Sequence, residues 1–268
     1  MAVEFERKDK YSIDDLISII TILRAPDGCP WDREQTHFSI KKNFIEETYE
    51  VIEAINKESV DGLREELGDV LLQIMLHCEM EREQGNFDFG DICDELCRKL
   101  IIRHPHVFSN VEASNVQEVL SVWDSVKQKT KGQNKCSRIL SDIPLELPAL
   151  MRAQKVQSKA SKSGFDWQDI SGALNKIQEE INELNNAVSH KSQQEIEDEF
   201  GDVLFSCVNV ARFLSVDSEE ALKASTDKFI KRFTLVEQLA EEKGISVNDA
   251  PLEILDALWD EAKEILAE

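Results

Sequence analysis

A chain of 268 residues, 41% of them hydrophobic, is long enough to bury one large core or two small ones, so disorder is not its default state. Its 53 Asp and Glu against 31 Lys and Arg give a net charge of -22, which repels nucleic acid and anionic membranes at long range. This balance argues against nucleic-acid binding as the main activity, and it admits a small anionic ligand only where metal ions neutralise the carboxylates around it.

Met1 to Lys10 alternates charges and lacks the apolar core of a signal peptide. No run approaches the roughly 18 apolar residues of a membrane span. The six cysteines, Cys29, Cys78, Cys93, Cys97, Cys136 and Cys207, form no C-x-x-C pair, so reduced thiols and a cytoplasmic location are expected.

Only ten glycines and six prolines occur, and apolar residues recur at spacings of three and four, which predicts an all-α chain. Helices are expected over 12–24, 39–58, 61–84, 88–102, 115–129, 149–162, 171–190, 192–214, 217–242 and 250–266, with Ser12 and Asp61 as N-caps. Between them, a polar stretch with Lys127, Lys129, Lys131 and Lys135, closed by Pro144 and Pro148, reads as a linker. The expected domains are therefore 1–126 and 149–268, joined by 127–148.

The two domains share a pattern. Glu46-Glu47-x-x-Glu50 recurs as Glu179-Glu180-x-x-Glu183, and the same offset carries Glu66-Leu67-Gly68-Asp69 onto Glu199-Phe200-Gly201-Asp202. Leu67, Leu71, Ile74 and Cys78 align with Phe200, Leu204, Cys207 and Ala211, which is one amphipathic helix written twice. Farther on, Lys99-x-x-x-Arg103 matches Lys228-x-x-x-Arg232 after a short deletion. The chain is thus a tandem duplication, and each copy has too few helices to cover its own apolar faces, so helical bundles formed between copies or between two chains of a homodimer are expected.

Residues three and four apart share a helical face, so Glu47 and Glu50 point the same way, as do Glu66 and Asp69 on the following helix. If each pair of helices packs antiparallel across its short turn, four carboxylates converge, and likewise Glu180, Glu183, Glu199 and Asp202. Left uncompensated, that crowding is destabilising. A hard divalent cation removes the repulsion, and an all-oxygen shell suits Mg²⁺, with Mn²⁺ as a substitute, rather than zinc. Mg²⁺ held by a few carboxylates completes its octahedron with water and phosphate oxygens, which directs attention to nucleotides. The alternative for any single acidic motif is a solvated face, but two copies weigh against it. Gly68 and Gly201, each costly inside a helix, are expected to permit close helix contact near the metal.

E-E-x-x-E followed by E-x-x-D on the next helix resembles the signature of the MazG family of all-α nucleoside triphosphate pyrophosphatases, in both halves and across nearly the whole chain. Cys29-Pro30-Trp31-Asp32 with Glu34-Gln35-Thr36, Arg103-His104-Pro105-His106-Val107-Phe108, and Gly164-Phe165-Asp166-Trp167 resemble further motifs of its two-domain members. The resemblance implies hydrolysis of NTPs or dNTPs to NMP and pyrophosphate. It implies Mg²⁺ on Glu180, Glu183, Glu199 and Asp202, Glu179 positioning or activating the attacking water, and Lys228 and Arg232 on phosphate oxygens.

The same resemblance places a lysine three residues before the first glutamate pair. Lys176 stands there in the second copy and Asn43 in the first. It also implies that Trp259 stacks on the base, the alternative being a core aromatic. The second half is therefore the expected catalytic half. The first, with Glu46, Glu47, Glu50, Glu66, Asp69, Lys99 and Arg103, is expected to be a metal-binding, regulatory or weaker second site. His104 and His106, flanking Pro105, are expected to cap and pack rather than bind metal. Two rival functions remain: a catalytically silent helical protein that binds metal or partners, and a narrower dUTPase-like or phosphoribosyl-ATP pyrophosphohydrolase, which usually carries one copy of the motif.

Overall fold

The computed structural model describes residues 5–109, 115, 118–119, 136–190 and 192–267. Every regular element among them is a helix, and the chain divides into two compact units, Met1–Thr130 and Lys131–Glu268. The predicted helix over 115–129 and the lysine-rich stretch 127–135 fall almost wholly outside the described residues.

The first unit contains α1 (Ile13–Arg24), α2 (Pro30–Glu34), α3 (Lys41–Asn56), α4 (Val60–Glu83), α5 (Phe89–Arg103) and α6 (Pro105–Phe108). Ser12 caps α1 in a reciprocal box with Asp15, as its sequence position predicts. The cap of α4 is Ser59, not Asp61: the Ser59 hydroxyl accepts from Gly62 N at 3.1 Å, while Asp61 lies inside the first turn and pairs with Arg64. Just before it, Glu58 enters the left-handed region at φ 52°, which reverses the chain so that α3 and α4 fold back on one another. Ile20, Ile40, Met75, Leu76 and Met80 form the buried core beneath them.

Arg24, at the end of α1, ties this core to the α2 loop. Its Nε and Nη2 donate to Glu83 at 2.8 and 2.9 Å, and Nη1 donates to the carbonyls of Asp32 and Gln35. Gly28 is obligatory in the turn between α1 and α2, because a Cβ there would lie 2.1 Å from the Ile22 carbonyl oxygen.

The second unit contains α7 (Cys136–Ser141), α8 (Ala149–Ser161), α9 (Ile170–His190), α10 (Gln193–Phe213), α11 (Ser218–Glu242) and α12 (Leu252–Ile265). The hairpin of α9 and α10 repeats that of α3 and α4. Helix α8 packs along α10, where the Gln157 amide donates to the Phe205 carbonyl at 2.7 Å. Val236, Leu239, Ala240, Leu258 and Ala262 form a separate core between α11 and α12. Part of the stretch expected to be linker is thus helix, since α7 lies within it and packs on α8.

One expectation about packing needs correction. Among the described residues, a Cβ on Gly68 or Gly201 would meet nothing within 4 Å, so neither glycine serves a close contact there. The duplicated stripe is covered only in part: Cys78 is buried and Leu71 packs against the core of the first unit, while Leu67, Phe200, Leu204 and Cys207 are exposed.

Candidate active site

Helices α9 and α10 assemble the acidic group of the second unit. Glu180 faces inward from α9 and is only 4% exposed, and one carboxylate oxygen from each of Glu180, Glu199 and Asp202 lies within 4.8 Å of the others. One turn earlier on α9, the Lys176 ammonium stands 2.6 Å from Glu180 Oε1 and 2.7 Å from Glu179 Oε1. Its pKa is raised by these partners, Glu179 first and then Glu180, so it remains charged at any physiological pH.

That lysine does not balance the site. Glu180 Oε2 is buried and has no hydrogen-bond partner, a costly state for a carboxylate oxygen. Loss of water and then the charges of Glu180 and Glu199 push the pKa of Asp202 up, with Lys176 opposing. Glu183 is exposed and lies outside the closest group of three, yet its pKa is raised by the same causes, so it belongs to the same field. An orphaned oxygen beside hard oxygen donors of one sign fits a divalent cation. Glu180, Glu183, Glu199 and Asp202 are the residues that would hold it.

The first unit builds a related group from α3 and α4, with Glu47, Glu66 and Asp69 each contributing an oxygen to a cluster within 4.8 Å. Burial raises Glu47 first, followed by its hydrogen bond with Glu50 and the charge of Asp69. Burial likewise leads the rise at Glu66, followed by the charge of Glu50. Glu46 is exposed on α3, and Asn43 occupies the place of Lys176, so no ammonium enters this cluster from that position.

The predicted phosphate cations stand apart from the carboxylates. Lys228 is on the exposed part of α11, and no ion pair joins Lys228 or Arg232 to a carboxylate among the described residues. The Arg232 guanidinium lies 5.9 Å from the Trp259 ring centroid, within cation–π reach, and Phe229 lies 5.1 Å from the same ring. Trp259 is partly buried against the α11–α12 core, so the indole is at once a packing residue and a partly open face. In the first unit, Lys99 is exposed on α5 and Arg103 is partly buried at its end. His104 caps the end of α5, and its Nδ1 lies 2.7 Å from the Leu100 carbonyl, in keeping with a capping role.

One polar group escapes any reading of the sequence. His37 Nδ1 lies 2.6 Å from His77 Nδ1, and its Nε2 lies 2.6 Å from Glu81. His77 is forty residues from His37 and meets it only because α4 folds back along α3.

The MazG nucleotide pyrophosphohydrolase domain matches twice, over residues 35–108 and 168–237, so each match spans one acidic hairpin and leaves Trp259 beyond the second. The nucleoside triphosphate pyrophosphohydrolase/pyrophosphatase MazG of Thermotoga maritima is 47% identical over 250 residues, covering 93% of this chain and 95% of that protein. The nucleoside triphosphate pyrophosphohydrolase of Escherichia coli is 42% identical over 254 residues, covering 94% and 97%. The protein YabN of Bacillus subtilis is 46% identical over 248 residues, which are 92% of this chain and 50% of YabN. With its acidic hairpin present twice and relatives aligned along almost their whole length, the chain belongs to the MazG nucleotide pyrophosphohydrolase family.

Proposed function

We propose that this chain is a Mg²⁺-dependent nucleoside triphosphate pyrophosphohydrolase that acts as a homodimer, with its principal site in the second unit, 149–268. The observation that carries the assignment is the buried Glu180, neutralised on one oxygen by Lys176 and unpartnered on the other. When bound, Mg²⁺ supplies Lewis-acid charge that neutralises phosphate oxygens and the carboxylates around it.

The chain's own groups do the rest. Among the described residues Lys176 is the one cation inside the acidic cluster, so an arriving phosphate competes with Glu179 for it. Glu179, released from that ion pair, accepts a proton from the water that attacks the α-phosphorus. The new bond joins the water oxygen to that phosphorus, the bond to the bridging oxygen breaks, and NMP and pyrophosphate separate. Lys228 and Arg232 meet the charge gathering on the leaving pyrophosphate, and Trp259 offers an aromatic face to the same ligand. Asn43 makes the first unit, with Lys99 and Arg103 on its α5, the weaker or regulatory site.

The homodimer follows from the uncovered stripe. Phe200 and Leu204 on α10, like Leu67 on α4, are exposed on faces that the single chain leaves open, and a two-fold axis buries such faces against their own copies. The deciding experiment incubates the protein with each common NTP and dNTP and identifies the products. NMP with pyrophosphate, lost with EDTA and restored by Mg²⁺ or Mn²⁺, is expected. Orthophosphate as the direct product would overturn the pyrophosphohydrolase reading, and no turnover of any nucleotide leaves a silent metal-binding protein as the better reading.

A further inference from the structure

Apart from both acidic clusters, two histidines meet where the segment leading into α3 crosses the middle of α4. The rings of His37 and His77 are parallel to within 4°, with centroids 4.9 Å and Nδ1 atoms 2.6 Å apart. That is the greatest centroid separation two imidazoles can have with nitrogens so close, so the rings lie edge to edge in one plane. Their two nitrogens point at each other along the line that joins them. Such a line holds one proton, an N–H on one ring donating to the bare nitrogen of the other. A metal ion on it, with bonds of about 2.0 Å to each nitrogen, would need about 4 Å between them, so the pair is built for a proton.

The remaining contacts decide where the other protons sit. His37 Nε2 lies 2.6 Å from Glu81 Oε1, and Glu81 Oε2 accepts from the Asn86 amide at 2.6 Å. Asn86, and then His37, hold the Glu81 carboxyl below its ordinary value, so it is a carboxylate that only accepts, and His37 carries its proton on Nε2. With both rings neutral, His77 Nδ1–H donates to the bare Nδ1 of His37. One more proton is accommodated on the outer nitrogen of His77 without disturbing the pair. A second sets N–H against N–H on one line between two positive rings, and the 2.6 Å contact cannot survive it.

The surroundings sharpen this limit. From α3, Phe44 meets the His77 ring edge-on at 6.0 Å, and burial followed by the charge of His37 holds His77 below its ordinary value of 6.5. The charged groups that α1 and the turn after α4 bring to that helix, Arg24 and Asp88, act on Glu79 and Cys78 instead. Three residues after His37, Ile40 is 1% exposed and leads α3 out of the core. We propose that His37 and His77 form a pH-sensitive latch in the first unit, closed by one shared proton and opened when both rings are charged, which frees the 35–40 segment and the start of α3. A ring kept from its proton in the folded state contributes stability in full above 6.5 and loses it as pH falls below that value. The latch is therefore shut at neutral pH and opens in mild acid. It lies about 12 Å along α4 from Asp69 and does not depend on what the acidic cluster binds.

The test uses the full chain and follows hydrogen–deuterium exchange of a peptide spanning 35–44 between about pH 7.5 and about pH 5, each rate corrected for that of the unstructured chain at the same pH. The corrected rate is expected to rise about tenfold or more in the wild type, while that of the α9–α10 hairpin changes less than about twofold. His77→Gln, which keeps a hydrogen-bonding group beside His37 but does not titrate, is expected to remove most of the rise. A wild-type rate that ignores pH in this segment, an equal rise in the α9–α10 hairpin, or a His77→Gln protein as pH-dependent as the wild type overturns the latch. A second measurement needs no variant to fold: the imidazole NMR signals of His37 and His77 are expected to titrate in two resolved steps, as coupled sites do. Independent titration of the two rings at the same pH also overturns it.

Discussion

The Lys176 ammonium stands 2.6 Å from Glu180, a carboxylate only 4% exposed, while the matching position beside Glu47 holds Asn43. This one exchange separates two otherwise parallel acidic hairpins. Lys176→Ala is expected to slow turnover at least tenfold, since it removes both a phosphate contact and the counter-charge of Glu180. Asn43→Lys is expected to change the rate less than twofold. A first-unit variant that doubles the activity or more would show that the first site is one ammonium short of competence.

Substitution of the carboxylates is expected to divide the two units. Glu180→Gln and Asp202→Asn should each lower kcat by about a hundredfold or more, because each removes a charged group from the electrostatics of the transition state. Glu47→Gln and Asp69→Asn should do much less. Steady-state kinetics with Mg²⁺ settles the matter, and abolition by the first-unit changes with sparing by the second reverses the assignment. The metal-free Asp202→Asn protein should also melt higher than the wild type at pH 7. A carboxyl whose folded pKa is raised contributes stability below its unfolded pKa and loses it as pH rises, so removing its charge removes a cost.

The Asp166–Arg212 pair sets a pH dependence of the opposite sign. Hydrogen bonding from Arg212 holds the Asp166 carboxyl below the ordinary value of 3.8. Its contribution to stability is therefore present above that value and lost as pH falls through the lowered one. Asp166→Asn is expected to lower the melting temperature at pH 7 and to narrow the difference from wild type as pH falls below about 4, as thermal scans across this range would reveal. A constant difference at every pH would mean that packing, not charge, holds the loop.

Arg24 supplies a test of the first unit that involves no catalysis. Arg24→Met keeps the stem but leaves Glu83 and the carbonyls of Asp32 and Gln35 without their donor, which is expected to cost about 2–4 kcal/mol. Chemical denaturation measures the loss, and second-unit activity should survive wherever the protein stays folded. A cost below about 0.5 kcal/mol would show that the α2 loop is held by other contacts.

The uncovered apolar stripe predicts the oligomer. Sedimentation is expected to give a dimer at micromolar concentration, and Phe200→Glu or Leu204→Glu should dissociate it, because each places a charge where a like face must pack. A fully active wild-type monomer would remove the need for a partner.

The sequence by itself determined the helices, the duplication and the acidic motifs. Helical periodicity and spacing of three and four are local properties, and α1, α3, α4, α5 and α8 to α12 lie where that periodicity puts them, to within about two residues. Three short helices, α2, α6 and α7, were not legible, because one turn of helix carries too little periodicity to stand out. Ser59 displaced Asp61 as a cap because the decision turns on a single backbone reversal at Glu58. Only the tertiary structure decided which faces were covered. It put Met75 and Leu76 inside while leaving Leu67 and Phe200 outside, left the Cβ positions of Gly68 and Gly201 open among the described residues, and brought His37 to His77. It likewise gathered Gln157, Trp167 and Asn209 around one cavity from three separate segments. Such meetings depend on how helices pack rather than on what any one helix is, and packing is set by contacts between residues that the chain keeps far apart.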